Sequence, residues 1–191
     1  IHNIKYMKKI ILSIAIFFLA NTKSFGHVEH YAKYNYLEYE LFRNNNSIGY
    51  HKYDFRRDGN NLSIYSEVSF KITKLGVDLY KYFANSEENY KKGVFQSYSS
   101  KTKQNKKDRF VNIELDNSKK HLNIEGSSYT GEANKEFIVG TWWNHEIVKA
   151  KAQISGISGR IIYQTVTFVG KETIKIGDKS YKTLRFNFKS S

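Results

Sequence analysis

Four consecutive residues, Trp142-Trp143-Asn144-His145, are the densest concentration of chemistry in this chain. Two indoles beside an amide and an imidazole can floor or gate a ligand cavity. The rings would supply apolar surface, and Asn144 and His145 the polar handles. The same rings would also plug the open end of a curved sheet, because large aromatic side chains are core-fillers first. His51, between Tyr50 and Lys52, reads as a half-buried packing residue with a hydrogen-bonded ring rather than as a base. His121 follows Lys119-Lys120 at a turn and reads as solvated. His27 and His30 flank Glu29. With His27 as the first residue of a processed chain, its amine and imidazole could chelate copper, His30 completing the site. Export tails are usually disordered, however. Neither a metal nor any other cofactor is assigned.

No spacing in the chain forces catalysis. There is no G-x-S-x-G elbow, no H-E-x-x-H helix, no phosphate-binding glycine loop and no paired cysteine. A serine nucleophile needs a histidine and an orienting carboxylate beside it; the ingredients exist, but no local pattern assembles them. No catalytic residue is assigned, and the balance leans away from an enzyme. The formal charge is +13, from 31 basic and 18 acidic residues. Tyr80-Lys81-Tyr82 resembles a base-stacking platform, but the lysines are scattered over turns, as solvated surface charge usually is. A leader sequence also directs the chain away from nucleic acid, so no nucleic-acid partner is expected.

That leader runs from Met7 to Gly26. Lys8-Lys9 form a positive start, Ile10 to Ala20 an apolar run of eleven residues, and Asn21 to Gly26 a polar end with small residues at Ser24 and Gly26. This is the grammar of a cleavable secretory signal. The run is shorter than the about 20 residues a membrane-spanning helix needs. Ile1 to Tyr6 read as upstream read-through. The division expected is therefore 1–26 as read-through plus signal peptide and 27–191 as a single β-rich domain, periplasmic or secreted, with no transmembrane span after cleavage. The 165 residues after Gly26 suffice for one sizeable core and carry 27 basic against 18 acidic residues, a surplus of nine. Absence of cysteine excludes both a lipid-anchoring cysteine and disulfides, so burial alone must hold the domain together.

The elements that would position these residues are strands. Leu62, Ile64, Val68, Phe70 and Ile72 alternate with Ser63, Tyr65, Glu67, Ser69 and Lys71. Leu37, Tyr39 and Leu41 repeat the pattern, as do Val111, Ile113 and Leu115, and later Leu184, Phe186 and Phe188. Period-two alternation gives each strand one buried and one wetter face, which favours antiparallel pairing. Asn44-Asn45-Asn46, Asp58-Gly59, Lys92-Gly93, Asp116-Asn117 and Gly177-Asp178 punctuate the runs as turns. About nine strands are expected. From Trp142 to Ala150 the alternation stops and a short helix is expected, with Thr141 as its N-cap. Lys182 to Lys189 would be an uncovered apolar edge, which predicts a chain truncated before one or two closing strands.

In chain order, Gly49-Tyr50-His51, Leu79 to Tyr82, Glu88-Asn89-Tyr90, Ser97 to Thr102, Thr141 to Asn144 and Gly156 to Gly159 resemble an uncharacterised family of exported bacterial proteins known only as a domain of unknown function. The resemblance covers roughly Leu37 to Phe188. Tyr90 stands where tryptophan is expected, and Trp142 where a smaller serine-tyrosine pattern is usual. The resemblance implies a half-barrel similar to that of periplasmic lipoprotein carriers, with an apolar cavity and no assigned activity.

The fold expected is all-β and mainly antiparallel: a strongly curved sheet or partly open barrel with one short helix at its mouth, plus an N-terminal signal helix. The leading function is non-catalytic binding of an apolar molecule, a lipid or acyl chain, on the concave face. Its candidate lining is Tyr53, Phe55, Phe70, Tyr82, Trp142, Trp143, Asn144 and His145. The alternatives are an envelope assembly factor that pairs with another envelope protein through an edge strand, and a hydrolase-like enzyme using His51 or His145.

Overall fold

The structure is a computed structural model that describes residues 31–116, 118 and 120–190; the expected leader and its helix lie outside them. Eight strands run as an uninterrupted antiparallel meander. They are β1 (Tyr36–Arg43), β2 (Asn46–Asp58), β3 (Asn61–Lys74), β4 (Val77–Lys91), β5 (Val94–Gln104), β6 (Lys107–Leu115), β7 (His121–Gly126) and β8 (Tyr129–Asn134). The sheet is large, curved and unclosed. Its hairpins are tight because left-handed residues sit where two-residue turns need them. Asn44 and Asn45 have φ of 49° and 63°, Lys92 and Gly93 of 50° and 74°. Leu75 and Gly76 make the same kind of turn at 52° and 77°, although leucine carries no turn signal. Register shifts at Leu41/Phe42, Ile72/Thr73 and Asn89/Tyr90 insert extra residues that bend and twist the strands.

A second sheet holds β9 (Ile138–Val139), β10 (Ala152–Ile154), β11 (Ile161–Ile176) and β12 (Lys179–Ser190), ordered β12-β11-β10-β9. β9 and β10 pair in parallel, a departure from the otherwise antiparallel pattern. Val139 and Ile154, from these two short strands, complete a core cluster with Tyr98, Val111, Ile113, Leu122, Ile124 and Ala133. A second cluster gathers Tyr53, Phe55, Leu62, Ile64, Tyr90 and Trp143, and Phe95 packs against both. The alternation of Leu62 and Ile64, and of Val111 and Ile113, does place them in the interior.

Two expectations need correction. The helix expected over Trp142 to Ala150 is one four-residue 3₁₀ turn, His145–Val148, capped by Asn144 rather than Thr141. Trp142 has a φ of 66°, outside the right-handed helical region, so no helix can run through it from Thr141. Beyond the turn, Ala152–Ile154 is committed to pairing with β11 and β9. The second correction concerns the face of β12 expected to be buried, a strand that among the described residues pairs with β11 alone. Leu184, Phe186 and Phe188 share one face as their spacing requires, yet Leu184 stays 59% and Phe188 37% exposed.

Candidate functional site

On β4, Tyr80, Tyr82, Ala84, Ser86, Glu88 and Tyr90 follow one another at every second position, so all face the concave side. This phase carries a carboxylate into the core. Glu88 is 2% exposed, directly opposite Ile64 on β3 and Tyr98 on β5. Three donors meet it. The Tyr90 hydroxyl donates to Oε1 at 2.5 Å, the Trp143 indole N–H to Oε2 at 2.7 Å, and the Thr141 hydroxyl to Oε2 at 3.1 Å. Burial pushes the Glu88 carboxyl above the usual carboxylate range, and these hydrogen bonds pull it partly back. Around it, the Tyr53 hydroxyl donates to the Thr141 carbonyl at 2.8 Å, and the Asn144 amide donates to the Tyr90 hydroxyl at 3.3 Å. The segment 140–150 is thus a strap, riveted to the sheet through polar groups of Thr141, Trp143 and Asn144.

The rivets split the two tryptophans. Trp143 is 3% exposed, with its ring edge-on to Phe55 and Tyr90. Trp142 is turned away by its left-handed backbone, is 60% exposed, and meets the Phe188 ring at 5.6 Å. A non-glycine residue at positive φ is held there only when its surroundings over-determine it. The bonds of Thr141 and Trp143 to Glu88 do so from both sides.

Beside the strap lies a groove of about 740 Å³ between the concave face of β2–β5 and the base of the β10–β12 sheet. Phe70 and Tyr82, stacked at 4.9 Å between ring centres, form one wall with Val68. Trp142, Ile162 and Phe188 stand opposite. His51, Ser66, Ser100 and Thr102 contribute polar floor. The His51 Nε2 atom lies 2.9 Å from Ser66 Oγ, and Nδ1 lies 3.5 Å from the Tyr53 hydroxyl. Burial lowers the imidazole to about 4, so it is neutral near pH 7. A histidine held that low is a poor base for a serine hydroxyl, and its other nitrogen meets the Tyr53 hydroxyl rather than a carboxylate.

The eight candidate lining residues therefore fall in three places. Phe70, Tyr82 and Trp142 line the groove together. Tyr53, Phe55 and Trp143 lie behind it in the closed core. Asn144 is buried at the 3₁₀ turn, where its side-chain oxygen accepts from the Glu146 N–H at 3.0 Å. His145 is on the exposed side of the strap, its Nε2 3.3 Å from the Tyr31 hydroxyl. The sequence reading passed over Glu88, Ser66 and Thr102 as individual residues. For Glu88 a signal was present, since the phase of Tyr80 to Tyr90 sets it among inward-facing residues; its partner Trp143, 55 positions away, carried none. Among the described residues no group of three or more metal-binding side chains converges, and no helix is long and apolar enough to cross a membrane.

No curated protein and no solved structure matches the chain. One family model does, over residues 39–191, which takes in nearly all of the curved sheet, the strap and the β11–β12 hairpin. The chain belongs to the DUF6134 family, a domain of unknown function.

Proposed function

We propose that this is an exported, non-catalytic carrier that binds an apolar molecule, a lipid or acyl chain, on the concave face of its sheet. One observation carries the reading: the groove beside the strap has apolar walls of Val68, Phe70 and Tyr82 on one side and Trp142, Ile162 and Phe188 on the other. Its volume of about 740 Å³ falls within the roughly 300–1,000 Å³ of small-molecule sites. Export rests on the leader pattern from Met7 to Gly26. Native mass spectrometry of the protein purified from cell envelopes, without detergent exchange, should detect a co-purifying lipid. Phe188→Ala combined with Trp142→Ala should deplete it. Recovery of ligand-free protein from every envelope preparation would count against a carrier.

A second reading, pairing with an envelope protein through a free strand, is favoured by β12, which lies at the edge of its sheet and presents Leu184 and Tyr181 to solvent. Cross-linking from a photoreactive residue at position 183 separates the two readings. A single reproducible protein adduct supports pairing, and lipid adducts support the carrier.

A further inference from the structure

Among the described residues, none of those lining the groove is Lys, Arg, Asp or Glu, although the whole chain carries 31 basic and 18 acidic residues. Three neighbouring clefts show the contrast. One is lined in part by Lys135, Glu136, Glu146, Lys149 and Lys151, another by Lys71, Asp78, Lys81 and Lys103, and a third by Glu87 and Lys101. Glu88, on the concave face, is closed off behind Thr141 by its three donors, and the lysines beside the groove are excluded by strand phase. Lys71 pairs with Lys81 across β3 and β4, and Lys103 pairs with Phe83, all on the face opposite Phe70 and Tyr82. Asp78 neutralises part of that outer cluster, at 3.0 Å from Lys81 and 3.9 Å from Lys71. His51 adds no cation, because burial keeps its imidazole neutral near pH 7.

The polar groups that do face the groove are hydroxyls and amides. Most are already engaged. Ser66 meets His51, Ser100 donates to the Gly156 carbonyl at 2.6 Å, and Gln153 donates to Gln164 at 2.9 Å. Thr102 is different. It is 3% exposed on the concave face of β5, and among the described residues its Oγ1 has no hydrogen-bond partner. The Tyr82 hydroxyl is near enough to feel it, but not in hydrogen-bonding geometry. An unpaired buried hydroxyl is costly, and native interiors rarely tolerate one unless something else satisfies it.

We propose that the groove selects an electrically neutral amphiphile with a hydroxyl- or carbonyl-bearing head, of the acylglycerol class, and that Thr102 Oγ1 is the hydrogen-bond partner of that head. The inference rests on the carrier reading above and adds the chemistry of the head. An apolar tail fits the Phe70, Tyr82, Trp142 and Phe188 walls. An ionised head drawn into a site with no counter-charge loses its hydration without compensation, whereas a neutral head loses little and completes Thr102.

The test uses the full chain and three probes that share one acyl chain: monooleoylglycerol, oleate and oleylamine, titrated below their aggregation limits and followed by calorimetry. Monooleoylglycerol should bind at least about tenfold more tightly than either charged probe. Thr102→Val should weaken it about fivefold, the loss expected for one hydrogen bond, and Thr102→Ser should restore it. Ala84→Lys, which sets an ammonium on the groove floor, should turn the preference toward oleate. Equal binding of all three probes, or an unchanged preference in a folded Ala84→Lys variant, overturns the selectivity while leaving the carrier intact. Binding of none of the three overturns the carrier reading itself.

Discussion

Glu88 draws a phenol, an indole and a hydroxyl onto one carboxylate inside an otherwise oily cluster. Removing it strands three donors, and stranded buried donors cost more than a hydrogen bond returns. Glu88→Ala should therefore lower stability by about 3–4 kcal/mol in denaturant titration. Glu88→Gln keeps one acceptor oxygen and should cost about 1–2 kcal/mol. An equal loss in both variants would show that the carboxylate does not organise the strap. Acid titration involves Glu88 and His51 in opposite senses. The raised Glu88 holds its proton in the folded state to higher pH than in the unfolded chain, so its contribution falls as pH rises above the ordinary carboxylate value. His51 is lowered from 6.5 to about 4; its contribution is complete above pH 6.5 and is lost as pH falls toward 4. In a Glu88→Gln background His51 is left alongside the lowered carboxylates Asp78 and Asp116, whose contributions are lost mainly below about pH 4. Stability should then drop by roughly 1–2 kcal/mol between pH 6.5 and 4, after allowance for solvent screening of a half-buried ring. His51→Gln should remove most of that slope.

The strap shows how an element can be fixed by its ends rather than by its own propensity. Thr141 and Trp143 are both anchored to Glu88, and the residue between them must take whatever backbone conformation joins the two anchors. For Trp142 that conformation is left-handed, at a φ of 66°, a region costly for a bulky side chain. Glycine would adopt it without strain. Trp142→Gly should thus leave stability unchanged or raise it by up to about 1 kcal/mol, while weakening acyl-chain binding, because the groove loses one wall. A variant that lost stability and kept full binding would contradict both roles. Close approach sets a second limit on β2. Gly49 faces Phe70 across β3, and a Cβ there would lie 2.0 Å from the Ser69 carbonyl oxygen. Gly49→Ala should destabilise the protein by about 2 kcal/mol or more through a backbone clash, read as a lowered denaturation midpoint.

Across the whole molecule, core and groove divide the concave surface between them. The clusters around Ile64 and Ile113 occupy one part of the face, where Val139, Trp143 and Ile154 cover it. Beyond the strap, Phe70, Tyr80 and Tyr82 on the same strands face Trp142 and the base of the β11–β12 hairpin, and the space between stays open. A sheet whose β3 and β4 span 14 and 15 residues is longer than the short β9 and β10 can cover. The hairpin itself carries Phe168, Ile176, Leu184 and Phe188 in contact with water. This is where alternation alone misleads. It assigns Leu184, Phe186 and Phe188 to one face correctly, but whether that face is covered depends on another element being present to cover it.

Much of this architecture was legible from side-chain period and turn chemistry, because both are local. Leu62 and Ile64 declare an inner face by spacing, and Asn44-Asn45 declare a hairpin by tolerance of positive φ. Three things were settled only by tertiary contact. β9 and β10, at two and three residues, are too short to show any period. The division of Trp142 from Trp143 follows from a backbone sign imposed by anchors on a distant strand. The joining of Glu88 to Trp143, and the uncharged groove with Thr102 at its floor, require residues far apart in the chain to converge. Spacing along a chain encodes which face a residue takes; it does not encode what arrives from elsewhere to meet that face.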